Sequence, residues 1–399
     1  MPKSKLTLKQ LSIRDKTVLM RVDFNVPQDA QQKITDDTRI VATIPSIQYV
    51  IDHGGSVVLM SHLGRPDGKW DSKASLKPCA KRLSELLARR VQMAPDCVGP
   101  ETKKMVKALK PGEVLLLENL RFHSAEEHPE QDPQFAKQLS TLGDLYVNDA
   151  FGTAHRSHSS TATITQYFPK KAAAGFLMQK ELRYLGDALM NPKRPFYAII
   201  GGSKISSKLG IIKSLLKKVD GLLIGGGMTY TFLKAQGIQI GNSIHQDDFI
   251  DTAREILAEC EEKGIKFLLP TDIKVTDKID GTGELRIVKA KEGIPEGFEG
   301  VDIGPQTIQE YTSALEDAAV IFWNGPVGVF EIPAFSKGTL AIAKKLAISP
   351  ATTIVGGGDS ISALHMAGVA AKINHISTGG GASLEYIEFG TLPGIEALS

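Results

Sequence analysis

Cysteine is scarce in this sequence, and its distribution argues against two kinds of architecture. The 399 residues contain three cysteines, Cys79, Cys97 and Cys260, and none of them forms a C-x-x-C pair. This spacing argues against a disulfide framework and against a zinc site made of cysteines. We expect the three side chains to act as small apolar packing groups.

Excess charge and long apolar runs are also missing. The formal net charge is +2, so no bulk charge favours binding to nucleic acid or to an acidic membrane surface. No segment approaches the roughly 18 apolar residues of a membrane span, and the opening "MPKSKLTLKQLSIRDKTVLM" contains no apolar leader. We therefore expect a cytoplasmic protein without nucleic-acid or membrane partners. Since the sequence shows no coiled-coil seam, we also expect a monomer.

Three familiar active-site motifs are absent from the sequence. The Walker order G-x-x-x-x-G-K-[ST] does not occur, although "GGSKISSK" at 201–208 combines glycines, lysines and hydroxyls after an apolar run. No glycine cluster reads G-x-G-x-x-G with an acidic residue about 20 positions later, which disfavours a dinucleotide-dependent dehydrogenase. The missing G-x-S-x-G elbow leaves an α/β hydrolase unsupported.

The apolar runs that are present predict an α/β protein with two domains. A chain of 399 residues exceeds the usual reach of one hydrophobic core. Short β-branched runs alternate with helix-like stretches, which predicts parallel sheets covered by helices on both faces. We predict strands at "TVLMRVDF", "SVVLMSHL", "EVLLLENL", "DLYVNDAF", "PFYAIIGG", "GLLIGGG", "KFLLPTDIKV", "AVIFWNG", "TTIVGGG" and "HISTGG". Between the halves, "AAAGFLMQKELRYLGDALMNPKRP" predicts a helical connector, because its apolar residues recur near helical spacing.

Basic side chains follow the strands of the first half. Ligands of open α/β sheets bind beyond the carboxyl ends of the strands, and the residues there are Arg21, Asp23, Asn25, His62, Arg65, Arg121, Asp149, His155 and Arg156, with Arg39 nearby in sequence. Any one arginine is better explained by a surface ion pair. Their coincidence at strand ends predicts a basin for a small, strongly anionic molecule, because guanidinium groups bind phosphate and carboxylate oxygens in pairs. For His155 and His158, hydrogen bonding is favoured over metal binding.

Glycine clusters follow the strands of the second half, at 201–202, 225–227, 325, 356–358 and 379–381. Each cluster alone is explained equally well by a tight turn, but the five together favour a phosphate chain lying close to backbone. Asp359 is a candidate Mg²⁺ ligand, although a helix cap is the alternative. Lys204, Lys208, Asn324 and Glu331 complete the polar set.

The blocks that contain these residues resemble the signature blocks of the phosphoglycerate kinase family. They are "RVDFNVP", "SHLGRP", "LLENLRFH", "DAFGTAHRSHSS", "GGSKISSKL", "GGGMTYTFLKAQG", "WNGPVGVFE", "GGGDS" and "STGGGASLE". They follow the family's order and span almost the entire chain, which makes the resemblance far more specific than one loop motif.

The resemblance implies a role for each cluster. Its substrate positions, for 3-phosphoglycerate or 1,3-bisphosphoglycerate, are Asp23, Asn25, Arg39, His62, Arg65, Arg121 and Arg156. Its nucleotide positions, for ATP or ADP with Mg²⁺, are Lys204, Lys208, Asn324, Glu331, Gly357, Gly358, Asp359 and Ser360. Within these sets Arg39, Lys204 and Lys208 are the expected catalytic residues, and Asp359 is the expected metal ligand.

The resemblance also implies a bilobal fold of two Rossmann-like, three-layer αβα domains with mainly parallel sheets. A substrate domain at 1–171 and a nucleotide domain at 189–379 would be joined by a hinge helix at 172–188, and a tail at 380–399 would return to the first domain. The tail departs from the family pattern, because it reads "EFGTLP" where relatives often have Glu-Gly-Lys before Leu-Pro and so lacks that lysine. The implied reaction is direct in-line phosphoryl transfer after hinge closure.

Two other functions remain as alternatives at this point. A non-catalytic protein that closes on an anion would account for the basic basin, but not for the lysines and the carboxylate in the other half. A dinucleotide-dependent dehydrogenase would account for a glycine-lined nucleotide site, but its fingerprint is missing.

Overall fold

The computed structural model describes residues 5–399, apart from the side chains of Asp187 and Met190. It divides into two compact units, of which the first runs up to Leu182 and includes Thr391–Ser399, and the second is Arg183–Gly390. The domain limits expected from the sequence stay predictions, and residues 1–4 of the expected first domain lie outside the described residues.

The first unit contains a parallel sheet of six strands in the order β3-β4-β2-β1-β5-β6. The strands are β1 (Thr17–Arg21), β2 (Ser56–Met60), β3 (Val91–Met93), β4 (Val114–Leu116), β5 (Leu145–Asn148) and β6 (Ala172–Ala174). All residues of β2, β4, β5 and β6 are buried, which explains their uninterrupted apolar sequence, because both sheet faces are covered.

Two strands of this sheet were not predicted from the sequence. β3 is short and contains a glutamine, so it lacks a continuous apolar run. The residues of β6 were assigned to the helical connector, and that assignment is wrong. Three alanines favour a helix locally, but here they pair with β5 from Tyr146 to Asn148 and are buried.

The helices of the first unit return the chain between parallel strands. They are α1 (Thr38–Asp52), α2 (Lys77–Leu87), α3 (Pro100–Ala108), α4 (Pro133–Ser140) and α5 (Phe176–Glu181). Helix α4 shows how the sequence fixes a helix start: the Asp132 side chain accepts a hydrogen bond from Gln134 N at 3.0 Å, and Pro133 occupies the first helical position. Helix α1 buries Ile40, Ile47 and Val50 on one face against the sheet core.

The second unit contains two sheets. Its strands are β7 (Phe196–Ile200), β8 (Gly221–Ile224), β9 (Lys266–Leu268), β10 (Asp272–Thr276), β11 (Leu285–Lys289), β12 (Glu299–Ile303), β13 (Val320–Asn324), β14 (Thr352–Gly356) and β15 (His375–Ile376). A six-stranded parallel sheet has the order β15-β14-β13-β7-β8-β9, and an antiparallel sheet has the order β11-β10-β12. The predicted fold class, with mainly parallel sheets, is confirmed.

The antiparallel sheet corrects one strand of the sequence prediction. The run "KFLLPTDIKV" is two strands in different sheets, because Pro270 cannot donate to a ladder and separates β9 from β10. Strands β11 and β12 were not predicted. Four of the five residues of β11 are exposed, so the strand lacks the apolar run that identified the others.

The helices of the second unit are α6 (Ala188–Met190), α7 (Leu209–Leu215), α8 (Met228–Ala235), α9 (Ile250–Glu262), α10 (Pro305–Ala314), α11 (Lys337–Ile348), α12 (Gly358–Met366) and α13 (Gly381–Phe389). A π-helical stretch, Leu182–Asp187, continues α5 into α6. The helical connector therefore begins at Phe176, later than predicted. Its role as a hinge stays a prediction. In the described part of the chain no helix has the length and apolarity needed to cross a membrane.

The C-terminal segment Thr391–Ser399, which contains α14 (Pro393–Glu396), packs within the first unit. Leu6 N donates to Ser399 O at 2.7 Å, and Gly394 N donates to Ala154 O at 2.8 Å. Leu392, Ile395 and Leu398 are at most 5% exposed. The segment thus adds apolar burial to the core of the first unit.

Candidate active site

Six of the seven substrate residues predicted for the first half follow β1, β2, β4 or β5, which are consecutive in the sheet, and Arg39 lies in the first turn of α1. We call this group of seven side chains the basic basin: Asp23, Asn25, Arg39, His62, Arg65, Arg121 and Arg156. Parallel strands bring their carboxyl ends to one edge, so residues far apart in sequence meet there.

Arg39, in the first turn of α1, is held by Asp23. Its Nη1 lies 2.7 Å from Asp23 Oδ2, and the arginine side chain is 33% exposed whereas the aspartate is 8% exposed. The carboxylate therefore orients the guanidinium but leaves part of it open to a ligand. Asp23 is fixed in turn by Asn25 N, which donates to Oδ1 at 3.2 Å.

The loop after β2 is held between two basin residues. Gly64 N donates to Asn25 Oδ1, and Gly64 O accepts from Arg121 Nη1, both at 2.9 Å. Arg121 also contacts Glu127 at 3.1 Å. Its buried Nε has no hydrogen-bond partner. An unpaired buried guanidinium N–H is costly, so it fits a site that receives an anion. Arg65 is exposed but close enough for its charge to act on Arg121.

Two imidazoles of this region are neutral at pH 7. Burial lowers the pKa of His62 well below its usual value, and the charges of Arg21, Arg121 and Arg39 lower it further. Burial, Arg21, Arg121 and Arg156 likewise lower the pKa of His158 to about 3. The charges of Arg21, Arg39, Arg121 and Arg156 thus act on one or both of these imidazoles. A neutral imidazole offers one donor and one acceptor, so both histidines can hydrogen-bond a ligand without adding charge.

Beneath the basin, Arg21 forms a buried ion pair with an acidic partner that the sequence prediction missed. Arg21 is 1% exposed, and its Nη2 lies 3.9 Å from Oε1 of the fully buried Glu126. Ser160 Oγ accepts from Arg21 Nε at 2.9 Å and donates to Glu126 Oε1 at 2.6 Å. Arg21 Nη2 also lies 3.2 Å from His62 Nδ1, so the network fixes the floor of the basin. Glu126 has no sequence signal, because only the fold brings it to Arg21.

Two of the five glycine clusters of the second half, at 201–202 and 225–227, line a cavity of about 400 Å³, which we call the glycine-lined cavity. The glycines at 325, 356–358 and 379–381 are not among its lining residues. Its walls include Gly202, Gly226, Gly227, Glu331 and Asp359 together with Tyr230, Ile244 and Ile279. Ile244 and Ile279 are 47% and 48% exposed, so their apolar side chains are open to a ligand in the cavity. Tyr230 and these isoleucines were not predicted, because they come from separate loops and one helix.

Glycine is required where the strand ends meet. A Cβ at Gly201 would lie 2.1 Å from Pro326 O, and a Cβ at Gly226 would lie 2.7 Å from Gly202 O. Gly226 also has a φ of +69°, which favours glycine. Backbone of three loops therefore comes together at this edge, and backbone N–H groups are suitable partners for phosphate oxygens.

Lys208 and Asn324 form the polar centre of the second cluster. Lys208 Nζ lies 2.5 Å from Asn324 Oδ1. Burial lowers the pKa of Lys208, and the nearby negative charge of Asp359 opposes that shift. Asn324 Nδ2 is buried without a partner and would lie 3.1 Å from a Cβ at Gly357. This unpaired donor faces the glycines and fits an anionic ligand.

The remaining predicted residues surround this centre. Ser360 Oγ accepts from Gly325 N at 2.7 Å, so its role here is to fix the loop after β13. Asp359 is exposed in the first turn of α12 and lines the cavity with Glu331. Lys204 is exposed at the start of the turn Ile205–Ser207, directly after the cavity residue Ser203.

These residues fit a metal ion carried by phosphates. Mg²⁺ is usually bound by one or two carboxylates together with substrate phosphates and water. Asp359 supplies an exposed carboxylate on the cavity wall, and Lys208 and the Asn324 amide supply donors for phosphate oxygens. The individual roles of these residues stay predictions.

Comparisons with known proteins place the chain beside one family. A family model described as Phosphoglycerate kinase matches residues 8–389. A phosphoglycerate kinase of Moorella thermoacetica is 54% identical over 396 residues, which cover 99% of each chain. A cytosolic phosphoglycerate kinase of Triticum aestivum is 53% identical over 98% of this chain and 97% of its own. The structure of phosphoglycerate kinase from Coxiella burnetii has a TM-score of 0.89 at 39% identity and covers 98% of both chains.

Proposed function

The chain belongs to the phosphoglycerate kinase family, and from this premise we propose that its two residue clusters hold the two substrates of the reaction. The chain is a kinase of glycolysis that moves phosphate onto the carboxyl group of 3-phosphoglycerate, with ATP and ADP as nucleotide substrates. The observation that carries this conclusion is the match over 99% of both lengths, because it includes the motifs of both units. The resemblance inferred from the sequence is confirmed.

The basic basin binds 3-phosphoglycerate or 1,3-bisphosphoglycerate in this proposal. Both molecules are small and strongly anionic, and paired guanidinium N–H groups suit their phosphate and carboxylate oxygens. The unpaired Nε of Arg121 supports this assignment. Neutral His62 and His158 would hydrogen-bond to substrate oxygens, while Arg65 and Arg156, both exposed at the rim, would attract the anion.

The glycine-lined cavity binds the nucleotide. Its exposed apolar surface at Ile244 and Ile279 suits a flat base, and Glu331 would accept hydrogen bonds from ribose hydroxyls. Lys208 and the unpaired Asn324 amide would bind phosphate oxygens. Asp359 would hold Mg²⁺, which supplies positive charge to the phosphates when it is bound.

Phosphoryl transfer between these ligands requires no nucleophile from the protein. A carboxylate oxygen of 3-phosphoglycerate attacks the γ-phosphorus of ATP, the new P–O bond forms, and the bond to the β-phosphate oxygen breaks to release ADP. In the opposite direction ADP attacks the acyl phosphate. Arg39 and Lys204 would stabilise the equatorial oxygens of the transferring group, and closure about the helical connector would bring the reactants into line and exclude water.

The relatives also support the location and the assembly that we propose. Cytosolic relatives from Triticum aestivum and Nicotiana tabacum support a cytoplasmic location for this chain. A monomer is the proposed state, and light scattering coupled to gel filtration tests it, since a mass near 43.1 kDa is expected.

The deciding experiment measures ATP consumption by the purified protein with and without 3-phosphoglycerate and Mg²⁺. A coupled aldehyde dehydrogenase with NADH removes the acyl phosphate and reports each turnover. We expect turnover that requires both 3-phosphoglycerate and Mg²⁺. NADH oxidation without the coupling enzyme would instead support the dehydrogenase alternative. Ligand binding by folded protein without ATP consumption would support the binding-protein alternative.

A further inference from the structure

A second cluster of potential ligands lies in the first unit, formed by Asp96, Cys97 and His123. The Oδ1 of Asp96 lies 2.7 Å from His123 Nε2, and one ligand atom from each of the three residues lies within 4.8 Å of the others. The Cys97 side chain is 0% exposed, whereas Asp96 and His123 are 46% and 32% exposed. The thiol therefore forms the inner end of the cluster and the two polar groups form its open side.

The fold fixes both chain segments that meet in this cluster. Asp96 and Cys97 follow β3, where Asp96 O accepts from Thr102 Oγ1 at 2.9 Å. His123 follows the turn after β4, and its ring stacks on Phe135 with centroids 5.1 Å apart. Cys97 N donates to Asp96 Oδ1 at 2.6 Å, which orients the carboxylate. Hydrogen bonds to backbone atoms therefore hold Asp96 and Cys97, and ring stacking holds His123.

We propose that Asp96, Cys97 and His123 form a binding site for Zn²⁺ or a similar borderline-soft divalent ion. Three protein ligands with one position open to water are a recurrent arrangement around zinc. The sequence argued against a site built from several cysteines, and this site needs only one.

The ligand set selects this class of ion. Thiolate and imidazole favour zinc over the hard ions Mg²⁺ and Ca²⁺, which prefer oxygen. With zinc bonds of roughly 2.0 Å to nitrogen or oxygen and 2.3 Å to sulfur, ligand atoms around a tetrahedral ion lie roughly 3.3 to 3.7 Å apart. The three ligand atoms lie within 4.8 Å of one another, so the widest separation must shorten by at most about one and a half ångströms and the Asp96–His123 contact must lengthen by about half an ångström. Both changes require rotation of the half-buried Asp96 and His123 side chains, which are 46% and 32% exposed.

Two other interpretations fit the cluster less well. A cysteine nucleophile needs a thiol that a substrate can reach, but Cys97 is fully buried. An ordinary ion pair accounts for Asp96 and His123 and leaves the buried thiol as a packing group. Metal binding accounts for all three groups, with release of the thiol proton on binding.

The test uses Co²⁺ as a spectroscopic probe and Zn²⁺ as a competitor. The metal-free, reduced full-length protein is titrated with Co²⁺, and we expect one equivalent to produce a thiolate-to-cobalt charge-transfer band that Zn²⁺ removes. Cys97→Ser should abolish the band, and His123→Gln should weaken Co²⁺ and Zn²⁺ affinity at least tenfold. Zn²⁺ affinity is measured separately by competition with a chromophoric chelator.

Matched variants of the same chain serve as controls. Cys79→Ser removes another fully buried thiol of the first unit, and His128→Gln removes an exposed imidazole that pairs with Glu130 at 3.5 Å. Both should bind the ion as the parent does. The proposal is overturned if the parent shows no charge-transfer band with Co²⁺, or if folded His123→Gln keeps the parent's affinity. The latter variant keeps the test decisive if Cys97→Ser fails to fold.

Discussion

Lys208 Nζ and Asn324 Oδ1 lie 2.5 Å apart although 116 residues separate them in the chain. The contact joins the loop after β7 to the end of β13, which are adjacent strands. It also uses one side of the Asn324 amide and leaves the buried Nδ2 for another partner. The asparagine can therefore position the lysine and bind a nucleotide phosphate at the same time.

The Lys208–Asn324 contact predicts coupling between two substitutions. Lys208→Ala and Asn324→Ala should each raise the KM for ATP, because each removes a donor for its phosphates. In a double-mutant cycle on kcat/KM, the free-energy change of the double variant should be smaller than the sum of the two single changes by about 0.5 to 3 kcal/mol. Steady-state kinetics of the parent, both single variants and the double variant measure this. Additive effects on kcat/KM would show that the two side chains act independently.

Residues that bind the transferring group should differ from residues that only bind substrate. Arg39→Ala and Lys204→Ala should each lower kcat by about 100- to 1000-fold, since each removes charge stabilisation in the transition state. Arg65→Ala should mainly raise the KM for 3-phosphoglycerate. Arg254→Ala is the control, because this arginine is 58% exposed and pairs with Asp251 on the surface of α9. If Arg39→Ala or Lys204→Ala stays within a few-fold of the parent kcat, the assigned role is wrong.

Closure predicts a change in solution dimensions. With both substrates or a non-reactive substrate pair bound, the radius of gyration measured by small-angle scattering should fall below that of the free protein. One substrate alone should produce less of this change, because each occupies residues of one unit only. An identical radius in the free and doubly bound states would contradict the proposal that closure precedes transfer.

Most strands of the parallel sheets could be predicted from the sequence, because buried parallel strands have continuous apolar runs. The ends of the strands then indicated Arg121, Lys208 and Asn324 as site residues, and the structure places them in two clusters. The prediction failed where local sequence and tertiary pairing disagree. Ala172–Ala174 favours a helix by composition, but β5 supplies a partner edge and the alanines form a strand.

Long-range polar contacts are the second kind of information that the sequence did not contain. Glu126 carries no motif, yet it is fully buried against Arg21 and Ser160. Ile244 and Ile279 lie in loops without a recognised motif, and only the fold brings them to the same cavity. A residue's own sequence neighbourhood does not specify such partners, since the contact depends on where two distant segments end.

Asp149 predicts a pH dependence of stability. Burial raises the pKa of this carboxyl to about 7, although hydrogen bonds from Ser46 and Met178 oppose the shift. Between about pH 4 and pH 7 the folded state keeps a proton on Asp149 that the unfolded state has released. The stabilisation from this proton is therefore complete below about pH 4 and is lost as the pH rises through about 7. In the neutral Asp149→Asn variant, the free energy of unfolding should fall less between pH 5 and 8 than in the parent, by on the order of a few kcal/mol.

Denaturant unfolding followed at pH 5 and pH 8 measures the difference for parent and variant. Asp251→Asn is the control, because its side chain is 87% exposed and should leave the pH dependence unchanged. If the free energy of unfolding changes between pH 5 and 8 by the same amount in the parent and in Asp149→Asn, the proton assigned to Asp149 is wrong.

The C-terminal segment should stabilise the first unit through its buried apolar side chains. Ile395 is 5% exposed in α14, so Ile395→Ala should lower the free energy of unfolding by about 2 to 4 kcal/mol through lost burial and a residual cavity. Ile348→Ala is the matched control, since that isoleucine is 75% exposed and its truncation should change stability by less than about 0.5 kcal/mol. Differential scanning calorimetry of both variants measures this difference as a change in Tm, which should be larger for Ile395→Ala. Equal, small shifts in Tm would mean that the segment's contacts contribute little to stability.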